Sequence, residues 1–132
     1  TPSWSIGINA SAEKAECTLA AVRGKYINVL VADEALARRM LEMGAQNVLV
    51  SMAGEGGVLV AADGQVYQSP AAKGTVVNSV GAGDSCVAGF LAGLMETGSY
   101  QTAFRMGLAA GSASAFSDHL ATRPEVEDLM SR

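Results

Sequence analysis

NVLVSM at Asn47–Met52 is a short, almost unbroken apolar run, the kind that fills a parallel strand covered on both faces. A strand with one wet face would alternate apolar and polar residues instead. Toward the N-terminus, YINVLV at Tyr26–Val31 reads as a second strand by β-propensity. Two helical patterns bracket it. Ser11–Val22 puts Ala12, Ala15, Leu19 and Val22 on one face, with Ser11 as N-cap and Gly24 as terminator. Asp33–Met43 puts Leu36, Met40 and Met43 on one side and stops at Gly44. The first ten residues, TPSWSIGINA, are weakly patterned.

Toward the C-terminus, Val58–Ala61 and Gln65–Gln68 flank Asp63-Gly64, a hairpin signal. Thr75–Asn78 is a further short strand by the same reading. From Asp84 the period changes: Val87, Leu91, Leu94 and Met95 recur at helical spacing until Gly98. A second helix follows over about Tyr100–Phe116, and a third begins near Pro124, where proline suits a first helical turn. Helices alternating with buried strands predict an α/β fold built as a layered sheet.

The chain has 132 residues, 49% of them hydrophobic and 17% charged, enough apolar material for one core in one domain. A formal net charge of −4 disfavours a general nucleic-acid binder, which needs a concentrated basic face. The longest strongly apolar run, Cys86–Met95, is about half of the roughly 20 residues that span a bilayer. No basic segment precedes an apolar stretch at the start, so no secretory leader is expected. Cys17 and Cys86 lie far apart, and with His119 they are too few for a structural zinc site of about four ligands. Buried free thiols in a reducing cytoplasm are the expected state. Trp4 and the six methionines are expected in the core or on partly buried surface, and His119 in a loop. Glu125-Val-Glu127-Asp128 reads as a solvated acidic helix face.

The chemistry is concentrated in Asn78-Ser-Val-Gly81-Ala-Gly83-Asp84-Ser85, between a short β-like segment and the long apolar helix. Gly81 and Gly83 let backbone amides approach a ligand with no Cβ between. A helix starting at the same point adds unpaired N–H groups and its positive dipole end, which together suit a phosphate. Two readings of Asp84 stand. It caps the helix, as aspartate commonly does, or it takes the proton of an attacking hydroxyl beside a site for migrating negative charge. The chain has no Walker A loop, and Gly54-Glu-Gly56-Gly57 lacks the third glycine of a dinucleotide fingerprint.

Gly-Ala-Gly-Asp after Asn-Ser-Val resembles the C-terminal signature of ribokinase-like sugar kinases of the phosphofructokinase B type. NVLVSMAGEGGVLV at Asn47–Val60 and AAGSASAFSDHLAT at Ala109–Thr122 agree with it in order, and the latter is similar to the 1-phosphofructokinase and tagatose-6-phosphate kinase branch. The resemblance covers residues 44–132 well and 1–43 weakly. It implies the C-terminal portion of a layered α/β/α ribokinase-like fold, in a single partial kinase domain over residues 1–132.

What the resemblance implies for the site follows motif by motif. Asp84 would be the catalytic base, and the amides of Gly81, Ala82 and Gly83 the anion hole. Ser51, Met52, Ala53, Gly54, Glu55 and Gly56 would run along the nucleotide phosphates and ribose, against the alternative of a plain glycine-rich turn. Ala110, Gly111 and Ser114 would border the adenine. Against that stands a stripe of small residues, Ala103, Gly107, Gly111 and Ser114, that only lets helices pack closely, against Gly89 and Gly93. The implied reaction is ATP- and Mg2+-dependent phosphoryl transfer to a sugar phosphate, foremost fructose 1-phosphate, in the cytoplasm. The alternative is a catalytically incomplete fragment that holds nucleotide or is purely structural. Open strand edges would favour a homo-oligomer. No metal-ligand set of the chain's own, no nucleic acid and no membrane partner is expected. Family members are considerably longer, and the portion that reads the sugar is expected to lie outside these residues.

Overall fold

The computed structural model describes residues 6–8, 29–31 and 47–132. They divide into two compact units, one containing most of the sheet and the other residues 53–57 and 69–132.

The sheet has the order β1 (Ile6–Ile8), β2 (Val29–Val31), β3 (Val48–Ser51), β4 (Gly57–Val60) and β5 (Val66–Ser69). β1 pairs parallel with β2, Ile6 opposite Val29, and β2 pairs parallel with β3, Val31 opposite Leu49. Val48, Leu49 and Val50 are all buried, as an unbroken apolar run in a covered parallel strand should be. Asn47 is buried too, and its Oδ1 accepts a 2.7 Å hydrogen bond from the Ala62 N–H. The Asp63-Gly64 turn is where expected, with Gly64 at φ 81°. Ala61 N–H bonds Gln65 O at 3.0 Å and the Asp63 carboxylate accepts from Gln65 N–H. The strand expected at Tyr26–Val31 is seen over Val29–Val31. Residues 26–28, the helices expected at Ser11–Val22 and Asp33–Met43, Trp4 and Cys17 lie outside the described residues.

The second unit is built on α1 (Ala82–Thr97), α2 (Tyr100–Ala115) and α3 (Arg123–Ser131). Gly98, at φ 66°, ends α1, and Ser99 caps α2 by accepting from Thr102 N–H at 3.2 Å. α3 starts on a capping box, with Thr122 and Glu125 bonding each other reciprocally and Pro124 in the first turn.

The face that α1 buries differs from the expected one. Cys86, Val87, Gly89, Phe90 and Gly93 are buried, whereas Leu91 and Leu94 are only half-buried and Met95 is 87% exposed. The reason is the closeness of α2. A Cβ on Gly89 would fall 2.7 Å from Ala110 Cβ, one on Gly93 2.8 Å from Ala103 Cα, and one on Gly107 2.8 Å from Cys86 O. Small residues on both helices bring the backbones into direct contact, so the seam follows the glycines rather than the largest aliphatics. Of the stripe, Gly107 therefore packs against Gly89 and Ala103 against Gly93, whereas Gly111 faces Ala82 O and Cys86. Arg123 straps α3 to α1 through a two-pronged ion pair with Glu96, at 2.6 and 3.0 Å.

Thr75–Asn78 is not a strand. Its β-branched residues suggested one, but the N–H groups of Val77 and Asn78 both bond Ala115 O, at 2.8 and 3.1 Å. The segment is an exposed lead-in pinned to the end of α2, with no ladder partner among the described residues.

Candidate active site

The lead-in delivers the chain into a tight turn. Asn78 Oδ1 accepts from Val80 N–H at 3.0 Å, and Ala82 N–H bonds Ser79 O at 3.2 Å. Gly81 occupies the third position of that turn at φ 82°, ψ −4°, the conformation a type II turn reserves for glycine. Gly81 is also the N-cap of α1, and no side chain caps the helix. The first helical bond is Ser85 N–H to Gly81 O, at 2.9 Å.

This geometry decides which donors are open. Ala82 N–H is engaged in the turn. Gly81 N–H at the cap, and Gly83 and Asp84 N–H in the first helical turn, have no partner among the described residues, as expected for the leading donors of a helix. A Cβ on Gly83 would meet nothing within 4 Å among the described residues. Asp84 is exposed. It occupies the third helical position rather than the cap, and its carboxylate takes no hydrogen bond among the described residues. The capping reading of Asp84 thus has no bond to rest on. Val80, 78% exposed, and Leu120, 62% exposed, flank the turn.

Behind the turn, Gly111 of α2 lets Ala82 O come within 3.0 Å of the place a Cβ would occupy. Ala110 and Ser114 are buried, their side chains occupied in the packing of α1 on α2. Ser114 Oγ bonds Ser85 Oγ at 2.6 Å and Ala121 N–H at 2.7 Å. No spacing rule pointed to this tie, because it joins residues 29 apart in the chain.

The glycine-rich segment is a second, separately anchored turn. Ser51 ends β3 and Met52 follows it, both half-buried in the sheet unit. Ala53–Glu55 form an exposed 3₁₀ turn in the helical unit, with Ala53 at φ 49°, unusual for a residue with a side chain. Gly54 and Glu55 lie open to solvent. Gly56, at φ 100°, is wedged where a Cβ would fall 2.1 Å from Ser69 O, so glycine is obligatory there.

Cys86 is a buried free thiol pushed up to about 11 by desolvation, which removes it as a nucleophile. His119 sits in the loop between α2 and α3. Its Nδ1 meets Asp118 Oδ1 and its Nε2 meets Glu125 Oε1, each at 3.0 Å. The hydrogen bonds to Asp118 and Glu125 raise the His119 pKa above the ordinary 6.5. Glu125 is drawn down to about 2, chiefly by the Thr122 backbone and hydroxyl and then by His119. The imidazolium therefore contributes fully below pH 6.5, and its contribution is lost as pH rises through the raised value. Glu125 contributes above the ordinary carboxylate range and is lost only near pH 2. An NMR titration of His119 should give a midpoint above 6.5 that falls in Glu125→Gln. A midpoint at or below 6.5 would contradict the bridge.

No helix among the described residues is long and apolar enough to cross a membrane, and no group of three or more His, Cys, Asp or Glu side chains could hold a metal ion. A family model for pfkB family carbohydrate kinases matches residues 18–125. The 1-phosphofructokinase of Bacillus subtilis is 48% identical over 93 residues, 70% of this chain and 30% of that protein. The 1-phosphofructokinase of Haloferax volcanii is 34% identical over 113 residues, 85% of this chain and 36% of that protein. Among solved structures, a provisionally named phosphofructokinase from Staphylococcus aureus superposes with a TM-score of 0.78 at 28% identity, over 94% of this chain and 45% of that one. Ribokinase from Thermotoga maritima superposes with a TM-score of 0.73 at 20% identity, over 97% of this chain and 57% of that one. The chain spans about a third of the length of the curated relatives it matches. With the motifs in family order and a ribokinase-like fold, the chain belongs to the pfkB family of carbohydrate kinases.

Proposed function

We propose that the chain is the part of an ATP-dependent sugar-phosphate kinase that carries the nucleotide phosphates and the catalytic base, with fructose 1-phosphate as the acceptor. The observation that carries this reading is the juxtaposition at the start of α1. Two unpaired amides and a solvent-open carboxylate with no bond among the described residues share one helical turn. Fixed donors stabilise the charge on the migrating phosphoryl group, and a positioned carboxylate activates the nucleophile.

The step is a single displacement. Asp84 accepts the proton of a sugar-phosphate hydroxyl as that oxygen bonds to the γ-phosphorus. The bond from the γ-phosphorus to the β,γ-bridging oxygen breaks, and ADP leaves with that electron pair. Gly83 and Asp84 N–H, with Gly81 shaping the turn and Ala82 leading the helix, face the γ-phosphoryl oxygens. Ser51, Met52, Ala53, Gly54, Glu55 and Gly56 follow the nucleotide. The strained Ala53 and obligatory Gly56 support a fixed loop conformation rather than a plain linker. Gly111 backs the turn against Ala82 O, and with Ala110 and Ser114 buried beside it this end of α2 is the proposed border of the adenine. Mg2+ is taken to arrive with the nucleotide, as the ion commonly does when phosphates supply its oxygens.

A second reading is supported by the short span relative to the curated relatives: a domain that holds nucleotide and turns nothing over alone. Productive orientation supplies up to roughly 7–11 kcal/mol of such a barrier, and the chain covers only 30% of the Bacillus subtilis relative. Calorimetric titration with Mg·ATP, run beside a coupled assay of ADP release, separates the readings. One-site binding with release that rises with fructose 1-phosphate supports the kinase. Binding without sugar-dependent release selects the second reading, and an absence of binding contradicts both.

A further inference from the structure

Ser114 and Asn47 are the buried polar residues among those described, and Ser114 is 2% exposed. Its hydroxyl is fully employed between elements. Oγ–H donates to Ser85 Oγ at 2.6 Å, and the same oxygen accepts from Ala121 N–H at 2.7 Å. The two partners sit at telling places. Ser85 directly follows Asp84 in the first turn of α1. Ala121 directly follows Leu120, whose Cδ2 lies 2.7 Å from where a Gly81 Cβ would be. One hydroxyl in α2 thus holds both the helix start and the loop that flanks the turn.

We propose that Ser114 is the positioning residue of this site. Through Ser85 it sets the rotation of the first turn of α1 about the helix axis, and with it the aim of Asp84 and of the open Gly83 and Asp84 amides. Through Ala121 it keeps Leu120 against Gly81. The functional meaning of this rests on the phosphoryl-transfer reading above.

The physical need follows from the seam. Gly89, Gly93 and Gly107 make close contacts, with Ala110 Cβ, Ala103 Cα and the Met106 and Cys86 carbonyls, and no side-chain hydrogen bond joins them; apolar packing of this kind has little preferred direction. Helices in contact through a smooth stripe can roll on each other, whereas a hydrogen bond tolerates little misalignment. A side-chain atom rides about 5–6 Å from the helix axis, so a roll of about 10° moves it by about 1 Å. A displacement of about 1 Å is enough to cost about 10²-fold in rate. The Ser114–Ser85 bond is placed at the end of the seam where such a roll would matter, one residue from Asp84.

The test uses the whole 132-residue chain, ¹⁵N-labelled, as wild type, Ser114→Ala, Ser114→Thr and Ser85→Ala. Solvent exchange is read at Ser85 N–H, bonded to Gly81 O, and at Gly98 N–H, bonded to Leu94 O at the other end of α1. Ser114→Ala and Ser85→Ala should speed exchange at Ser85 about three- to tenfold more than at Gly98, the equivalent of one lost hydrogen bond. Ser114→Thr, which keeps the hydroxyl, should restore it. Equal acceleration at both ends, or none, would overturn the proposal. Ser85→Ala removes the half-exposed partner and keeps the test decisive if Ser114→Ala does not fold. Mg·ATP is then titrated into the same samples. Affinity should weaken about three- to tenfold in both alanine variants and recover in the threonine variant, by the same bond. Wild-type failure to bind Mg·ATP would defeat the phosphoryl-transfer reading while exchange still decides the role of Ser114. Wild-type binding with unchanged affinity and exchange in both alanine variants would defeat the Ser114 proposal alone.

Discussion

Asp84→Ala should lower phosphoryl transfer about 10²–10⁴-fold, the span a positioned general base supplies, without weakening Mg·ATP binding. The asymmetry is the point. A carboxylate beside the γ-phosphate repels it in the ground state, so its removal should leave nucleotide affinity unchanged or slightly tighter. The loss then falls on kcat, the pattern of an interaction that acts only in the transition state. Nor should the protein lose much stability. Asp84 is not the cap of α1, its carboxylate makes no hydrogen bond among the described residues, and its side chain is exposed. What remains is its charge at a helix N-terminus, worth about 0.3–1 kcal/mol. Asp84→Asn, which keeps the shape and removes the basicity, should fail in the same way. Steady-state rates with Mg·ATP and fructose 1-phosphate, compared with those of the unaltered protein, check both. Full turnover in either variant would remove Asp84 from the chemistry.

Phe90→Ala should destabilise the helical unit by about 3–5 kcal/mol, the usual cost of emptying a buried aromatic site. Phe90 is 0% exposed, and its Cβ lies 3.1 Å from where a Gly107 Cβ would be. The two helices already touch through their backbones at Gly89, Gly93 and Gly107, so they cannot close further to refill the space. The cavity term should therefore appear nearly in full. Because α1 begins at the turn that carries Asp84, loosening this seam should also weaken nucleotide binding before global unfolding. Urea unfolding followed by circular dichroism measures the first effect. A loss below about 1 kcal/mol would mean that the seam is looser than its glycines indicate.

The same seam explains how far the sequence could be read. The helices α1, α2 and α3 and the hairpin around Asp63-Gly64 were legible because period, caps and turn chemistry agree locally. Asn47–Met52 was legible as a strand because nothing but a covered sheet accommodates so continuous an apolar run. The failures are all tertiary. Val76 and Val77 have strand chemistry, yet the backbone donors of Val77 and Asn78 are taken by Ala115 O, a partner no local pattern announces. Met95 has the right spacing for a core residue and is nonetheless exposed, because the closest approach of α1 and α2 follows their glycines. β1, in the weakly patterned opening, was not anticipated. At the site, the Gly-Ala-Gly-Asp turn was recognisable as a glycine turn that opens a helix. Which amides stay open was not, since that depends on Ala82 N–H being taken by Ser79 O. Ser114 was legible as a residue bordering the adenine or as a small residue in a stripe, and its tie to Ser85 emerges when α1 and α2 are docked.

In the proposed site, negatively charged oxygen is received by the first turn of α1. The direct measurement is the ¹H–¹⁵N spectrum of the labelled chain during titration with Mg·ATP and, separately, with Mg·AMP, which lacks the β- and γ-phosphates. The largest saturable shifts should fall on the Gly83 and Asp84 amides with Mg·ATP and be absent with Mg·AMP, while Gly98 at the far end of the helix stays still. Saturable ATP binding that moves other amides and leaves Gly83 and Asp84 in place would contradict it.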